Sequence, residues 1–125
     1  MYTKKKSVED YLERILMLKE SNDEVRAIDI ANSMNFSKPS VSIALKKLIA
    51  RGYITVEEKT GFISLTESGL KIAQETYEKH VVLTEYFESL GVDKTIARED
   101  ACKIEHLLSD EVFNKIKEQL INKKK

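Results

Sequence analysis

The sequence predicts a mainly α protein with a small β-wing, in which an N-terminal winged helix-turn-helix precedes a helical domain. Three observations predict this fold. Apolar residues recur at helical spacing through most of the chain, and a short polar turn near residues 35–37 separates two helical stretches. Two β-rich runs, "YITVEE" and "FISL", follow that helix pair and are joined by "KTG". A helix pair followed by a β-hairpin is a winged helix.

The first two helices are predicted in "SVEDYLERILMLKES" and "VRAIDIANSMN". Ser7 suits the N-cap of the first, because a serine hydroxyl accepts from the free backbone N–H groups of a first turn. Acidic residues in that turn favour the same start, and apolar residues then follow at helical spacing. The polar break "SNDE" separates the two helices, and the second is expected to end near Asn35.

The third helix and the wing are predicted between residues 37 and 65. Ser37 suits an N-cap, Pro39 lies in the first turn where a missing N–H is harmless, and Gly52 suits the C-terminal stop. The glycine of "KTG" supplies the positive φ that a hairpin turn can need. This region is therefore expected to form a recognition helix followed by its wing.

Three further helices are predicted in the C-terminal half. A long amphipathic helix starts near Thr66 and is stopped by Gly91, Asp93 caps "KTIAREDACKIEHLLS", and Ser109 begins a last helix. Because no Pro/Gly-rich linker is present, a domain division is expected inside the fourth helix. The predicted domains are a winged helix-turn-helix over 1–72 and a helical domain over 73–125.

Bulk composition limits the class of protein. The 125 residues are 42% apolar and 34% charged, which fits one small globular domain or two joined half-domains. No run of 18 apolar residues exists and the N-terminus has no secretory signal, so we predict a cytoplasmic protein without a membrane partner. A net charge of zero and a pI of about 6.7 do not suit a globally basic nucleic-acid binder. A single cysteine makes no internal disulfide.

The third helix has one face suited to DNA. The stretch from Phe36 to Arg51 contains basic residues and no acid. Its predicted apolar face consists of Val41, Ala44, Leu45, Leu48 and Ile49, and the opposite face carries Ser40, Ser42, Lys46 and Lys47 with Ile43 in the middle. Hydroxyls and lysines can bind phosphates, and an exposed Ile43 can contact a thymine methyl. The alternative is a helix whose lysines only keep it soluble.

A candidate metal site is predicted around "ACKIEH". At about 100° per residue, Cys102, Glu105 and His106 project from one face of a helix, away from its apolar stripe. Asp10 and Glu13 in the first helix and His80 in the fourth offer complementary ligands. Mixed carboxylate, imidazole and thiolate ligands suit Mn(II) or Fe(II), with Zn(II), Co(II) and Ni(II) as competitors.

Three other interpretations of this cluster stay open. It can be a solvated helical face with one stray thiol. It can belong to a metal-independent winged-helix regulator in which Cys102 is a redox sensor. A small metallohydrolase using His80, Glu105 and His106 is disfavoured, because the sequence contains no nucleophile elbow or phosphate loop, and we predict that the protein is not an enzyme.

Nearly the whole chain resembles the diphtheria-toxin-repressor family of metal-dependent regulators, which has iron-responsive and manganese-responsive branches. The similar segments are "VEDYLERILML", "IANSMNFSKPSVSIALKKL", "RGYI", "LTESG", "YEKH" and "ACKIEHLLSDEV". The resemblance implies a homodimeric repressor that binds double-stranded operator DNA when its metal is bound and controls metal-uptake genes. The length favours the two-domain form of the family.

The resemblance implies a mixed ligand set. Asp10, Glu13, His80, Cys102, Glu105 and His106 stand where manganese-responsive members carry their ligands. Cys102 resembles the iron branch instead, since the manganese branch has glutamate there, whereas Asp10 replaces a methionine of the iron branch. Thr84 and Arg98 replace two ligands of the iron branch's ancillary site, so that site is not expected in its usual form.

The resemblance also implies DNA-reading positions on the third helix. Ser37, Pro39 and Ser42 match the iron branch, and Ile43 replaces a glutamine, so a different operator sequence is expected. The complete predicted DNA-binding set is Ser37, Lys38, Pro39, Ser40, Ser42, Ile43, Lys46 and Lys47.

Overall fold

Six helices and one β-hairpin make up the described chain. The structure, a computed structural model, describes residues 4–124, without the side chains of residues 4–6 and 124. In chain order the elements are α1 (Lys4–Ser21), α2 (Ala27–Met34), α3 (Lys38–Ala50), β1 (Ile54–Val56), β2 (Ile63–Leu65), α4 (Glu67–Ser89), α5 (Lys94–Ile104) and α6 (Asp110–Lys124). The mainly helical fold with a small β-wing is confirmed. The chain divides into two compact units, one ending at Gln74 and the other beginning at Glu75, so the division lies within α4.

The first unit has a core formed by α1, α2, α3 and the hairpin. Its most deeply buried large side chains are Leu12, Ile15, Val25, Ile30, Val41, Ile54 and Ile63. Each such side chain contributes roughly 1.5–3 kcal/mol by leaving water. On α3 the predicted apolar face is largely confirmed, since Val41, Leu45 and Leu48 are buried. Ile49 was wrongly assigned to that face, because it is 44% exposed.

Side-chain caps begin three of the helices, α3, α5 and α6. Ser37 accepts from the backbone N–H of Ser40 at 3.3 Å, and Asp93 accepts from that of Thr95 at 3.0 Å. Ser109 also caps α6 as predicted, because its hydroxyl accepts from the N–H of a residue in the first turn at 3.2 Å. The assignment of Ser7 as an N-cap is wrong, since α1 already begins at Lys4. The helix extends further toward the N-terminus than the capping signal indicated.

The wing is an antiparallel hairpin attached to the first two helices. Val56 pairs with Ile63 in the ladder between β1 and β2. Lys19 Nζ donates to the Ile63 carbonyl at 2.8 Å, and Arg26 Nε donates to the Thr60 carbonyl at 2.8 Å. The Arg26 guanidinium also lies 4.5 Å from the centre of the Phe62 ring, a cation–π contact. These contacts hold the wing against α1 and α2.

A close backbone approach fixes the start of α4. The Tyr53 carbonyl accepts from the Thr66 N–H at 3.0 Å, and the Thr66 hydroxyl donates to the Gly52 carbonyl at 2.6 Å. A Cβ added at Gly69 would overlap the Tyr53 carbonyl oxygen and lie 2.9 Å from its carbonyl carbon. Glycine is therefore required at this position by packing, not by a positive φ.

The second unit contains the C-terminal part of α4 together with α5 and α6. Its core residues are Leu83, Ala97, Ala101, Phe113 and Leu120. Ion pairs join α4 to α6, with Lys117 Nζ 2.9 Å from Glu78 Oε2 and Lys79 Nζ 3.5 Å from Asp110 Oδ1. Among the described residues, no helix is long and apolar enough to cross a membrane.

Candidate metal centre and nucleic-acid interface

The three candidate ligands of "ACKIEH" lie around the end of α5. The helix ends at Ile104, and Leu107 N–H donates to the Ile104 carbonyl at 2.9 Å in a tighter turn. Glu105 and His106, 1% and 8% exposed, are buried in that turn, whereas Cys102 is exposed on α5. Glu105 still donates its N–H to the Ala101 carbonyl at 3.0 Å, as in a regular helix, so what separates the three residues is their burial: Cys102 is exposed, whereas Glu105 and His106 are buried.

Glu105 lies between the two histidines of the chain. Its Oε2 is 3.1 Å from Nδ1 of His80, and its Oε1 is 3.3 Å from Nε2 of His106. Each carboxylate oxygen thus faces a different imidazole. His80 comes from α4, 25 residues before Glu105 in the chain, so this contact depends on how α4 packs against α5.

The carboxylate of Glu105 fits a divalent cation. Its Oε1 is buried and makes no hydrogen bond with any group in the described part of the chain. Leaving a buried acceptor without a hydrogen bond costs about 1–3 kcal/mol, so such an oxygen is normally satisfied by a donor, a water or a cation. One carboxylate with two imidazoles is a donor set that first-row divalent metals bind.

Cys102 has a different position from these three residues. No group of three candidate ligand atoms within 4.8 Å of one another contains Cys102 among the residues that the structure describes. Its thiol lies on the exposed surface of α5, one helical turn before His106. Arg98, one turn earlier still, is exposed, and Thr84 donates its hydroxyl to the His80 carbonyl at 2.7 Å.

The two acidic residues predicted on α1 lie in the first unit. Asp10 and Glu13 are one helical turn apart, and Asp10 is half-buried while Glu13 is buried. Burial raises the pKa of Tyr11, and the negative charge of neighbouring Asp10 raises it further, so this phenol stays neutral at pH 7. A buried carboxylate needs a compensating partner, and a cation is a strong one.

All of the predicted DNA-binding residues are exposed on the first unit. They are Ser37, Lys38, Pro39, Ser40, Ser42, Ile43, Lys46 and Lys47. Ile43 is 58% exposed although it is apolar, as the helical pattern predicted. The wing contact of Arg26 was not predicted, since its partner Thr60 is 34 residues away and no local pattern indicates the pairing.

Comparison with known proteins identifies both units. Residues 5–62 match the iron dependent repressor N-terminal DNA binding domain, and residues 66–125 match the iron dependent repressor metal binding and dimerisation domain. A metal-independent redox regulator is therefore not favoured.

Individual relatives agree with these matches. The chain is 41% identical over 113 residues to the uncharacterized HTH-type transcriptional regulator MJ0568 of Methanocaldococcus jannaschii, covering 89% of this chain and 90% of that protein. It is 36% identical over 107 residues to the transcriptional regulator MntR of Escherichia coli O157:H7, covering 86% of this chain and 68% of that protein.

A solved structure with a similar fold is that of the manganese regulator SloR, with a TM-score of 0.79 and 29% identity. The match covers 90% of this chain and 53% of the SloR chain, so this chain spans about half the length of that structure. The two domain matches together cover nearly all of this sequence. As its resemblance to the diphtheria-toxin repressors predicted, the chain belongs to the iron dependent repressor family of metal-dependent transcriptional regulators.

Proposed function

We propose that this chain is a homodimeric repressor that binds operator DNA when Fe(II) or Mn(II) is bound, and that it controls metal-uptake genes. The observation that carries the metal site is Glu105, whose two carboxylate oxygens face two imidazoles while one of them, buried, makes no hydrogen bond with the described residues. The exposed serines and lysines of α3 support the DNA site.

The proposed ligand set contains six residues. Glu105, His80 and His106 form its centre, and because each Glu105 oxygen faces its own imidazole, this carboxylate can serve one cation or bridge two. Asp10 and Glu13 are proposed as further carboxylate ligands from α1. Cys102 is the sixth proposed ligand, on the strength of its position one turn before His106. The full set is Asp10, Glu13, His80, Cys102, Glu105 and His106.

Ligand chemistry limits the proposed metal to Mn(II) or Fe(II). Carboxylates and imidazoles suit Mn(II) and Fe(II) alike, while a thiolate is a soft ligand that favours Fe(II) over Mn(II). Zn(II), Co(II) and Ni(II) bind such donors more tightly and are expected to compete in vitro. The similarity to a manganese regulator supports Mn(II), and Cys102 supports Fe(II).

Residues of the chain link metal binding to DNA binding. Carboxylates that ligate one metal site repel one another when they are ionised together without the metal. A bound divalent cation supplies the positive charge that offsets them. Because α1 carries two of these carboxylates and packs against α2, its position affects the direction of the recognition helix α3. In a dimer, this direction decides whether two half-sites about 34–36 Å apart, or a multiple of that distance, are contacted together.

Metal titration with a DNA-binding readout tests the proposal. The purified protein is titrated anaerobically with Fe(II) and Mn(II), and fluorescence anisotropy is recorded with DNA from its own promoter region. Anisotropy is expected to rise only with metal. Metal and DNA must affect each other equally. The factor by which the metal raises the affinity for operator DNA, typically about 5 to 150-fold, is also the factor by which operator DNA raises the affinity for the metal. Equal metal affinity with and without operator would refute the coupling.

A dimer face is proposed on the second unit. Its exposed large apolar side chains are between 46% and 58% exposed: Leu90, Ile96, Leu107, Val112 and Ile121. Ile96 in α5 and Leu107 in the turn after it fit the apolar spacing of that segment, but both are exposed. Apolar side chains that a single copy leaves in water are typical of surfaces covered by a partner.

The variant Leu107→Asp is expected to weaken dimerisation at least about 100-fold, because burying a leucine contributes roughly 1.5–3 kcal/mol and burying a carboxylate is costly. Analytical ultracentrifugation at several protein concentrations measures the change. Leu70→Asp is the matched control, since Leu70 is an exposed leucine of the first unit. An unchanged dimer constant for Leu107→Asp would remove Leu107, in the turn after α5, from the interface.

A further inference from the structure

An aromatic contact joins α1 to the residue before α3 in the first unit. The ring centres of Tyr11 and Phe36 are 6.0 Å apart, and the ring planes are tilted by 55°. Tilted rings with centres about 4.5–7 Å apart form favourable aromatic pairs. Tyr11 is 6% exposed and Phe36 is 47% exposed, so the contact lies at the edge of the core.

Tyr11 lies in the part of α1 that carries the two proposed carboxylate ligands. It follows Asp10 directly and precedes Glu13 by two residues. At about 100° per residue, its ring projects about 100° away from Asp10 and about 160° away from Glu13 around the helix axis. The carboxylates and the ring therefore leave α1 on different sides. Because a hydrogen-bonded helix moves as a rigid element, any displacement of the carboxylates also displaces the ring.

Phe36 is tied to the first turn of α3. It immediately precedes the N-cap Ser37, whose hydroxyl accepts from the Ser40 N–H at 3.3 Å. Its own N–H donates to the Ala31 carbonyl at 3.0 Å, and Asn35 before it has φ of 58°. The packing of an apolar residue just before an N-cap often fixes the angle at which the chain enters the helix. Here this residue packs against α1, so the position of α1 affects the direction of α3.

We propose that Tyr11 and Phe36 are positioning residues that transmit the metal-dependent position of α1 to the recognition helix α3. The inference rests on the proposed function and assigns the transmission to one contact within the first unit. It requires neither ring to touch the metal or the DNA. Because α1 also packs against α2, a second route exists, and loss of the aromatic contact should reduce the coupling without abolishing it.

The half-exposure of Phe36 allows the coupling to be measured separately from stability. A side chain gains free energy only for the area that it removes from water, so Phe36 contributes less to the core than a fully buried ring would. Phe36→Leu keeps an apolar side chain and removes the aromatic pair. We therefore expect this variant to retain the circular dichroism spectrum of the wild type.

The measured quantity is the coupling factor, which is the dissociation constant of promoter DNA without metal divided by that with saturating Mn(II). Phe36→Leu is expected to lower this factor roughly 3- to 10-fold, which corresponds to the loss of one aromatic pair. Its affinity for Mn(II) in the absence of DNA should stay within about twofold of the wild type, because the ring is not a proposed ligand.

Further variants assign the effect to the pair of rings. Tyr11→Phe and Phe36→Tyr keep both rings and should keep the coupling factor of the wild type. Phe62→Leu is the matched control and should also leave the factor unchanged, because this ring of the same unit packs against Arg26 instead. Two residues that act through one contact are not additive, so Tyr11→Leu combined with Phe36→Leu should lose no more coupling than Phe36→Leu alone.

Two results would overturn the inference while the repressor function stands. One is a coupling factor of Phe36→Leu equal to that of the wild type. The other is a loss of DNA affinity in Phe36→Leu that is the same with and without metal, since the ring would then support the DNA site itself. If the wild type shows no effect of metal on DNA binding, the proposed function fails and this inference fails with it.

Discussion

Glu105→Gln is expected to abolish metal-dependent DNA binding while the fold is retained. Glutamine has the size of glutamate, but its neutral amide replaces the carboxylate that faces both His80 and His106. Loss of a residue that only supports a metal ligand typically lowers metal affinity about 10–100-fold. Because Glu105 is itself a proposed ligand, we expect metal affinity to fall at least about 100-fold.

Thermal unfolding with and without Mn(II) measures this loss separately from DNA binding. A metal at a hundred times its Kd stabilises the folded state by about 2.7 kcal/mol, so the wild type should show a rise of Tm on metal addition and Glu105→Gln should not. Glu99→Gln is the matched control, because Glu99 is an exposed glutamate of α5. A metal-induced rise of Tm in Glu105→Gln equal to that of the wild type would remove Glu105 from the site.

A second substitution separates ligation from a structural role. His106→Ala should lose the same metal response and keep the circular dichroism spectrum of the wild type. Unfolding of His106→Ala without metal would instead make this buried imidazole part of the core. If neither Glu105→Gln nor His106→Ala shows a metal-induced rise of Tm, the metal response depends on both the carboxylate and the imidazole beside it.

Gly69→Ala is expected to lower the free energy of unfolding by about 1–2 kcal/mol. Alanine gains about 1 kcal/mol of helix propensity over glycine, but its Cβ would overlap the backbone carbonyl of Tyr53. Overpacking typically costs about 1–3 kcal/mol, and here the obstacle is backbone, which cannot rotate away as a side chain can. Chemical denaturation of the metal-free protein gives the difference.

Gly52→Ala is the comparison for this measurement. Gly52 has φ of 80° and nothing within 4 Å of an added Cβ, so alanine there meets only the cost of the left-handed conformation, about 1–2 kcal/mol. The two glycines thus separate a steric requirement from a conformational one. Stability of Gly69→Ala equal to or above that of the wild type would contradict the close approach of α4 to Tyr53.

Features that depend on neighbours in the chain were predictable. Ser37, Asp93 and Ser109 cap helices as their types and positions indicated, and the positive φ of Gly91 ends the turn after α4. The exposed Ile43 was also predictable, since it interrupts the polar side of a helical pattern. Capping and periodicity depend only on residues a few positions apart, so both can be predicted from the sequence alone.

Features that depend on burial were predicted less well. The pattern of α5 gave no sign that regular helix ends at Ile104, or that Glu105 is buried while Cys102 is exposed. Ile49 and Leu107 fit an apolar stripe but lie in water. A pattern ranks residues by polarity along one helix, but the neighbouring elements decide which part of that helix is covered.

The sequence by itself determined the helix and strand order, the winged helix-turn-helix, the polar face of α3 and the family. Only the tertiary structure decided that each oxygen of Glu105 faces its own histidine and that Arg26 holds the wing through Thr60 and Phe62. The first set follows from local spacing. The second depends on distances between atoms far apart in the chain, which arise only when apolar burial brings the elements together.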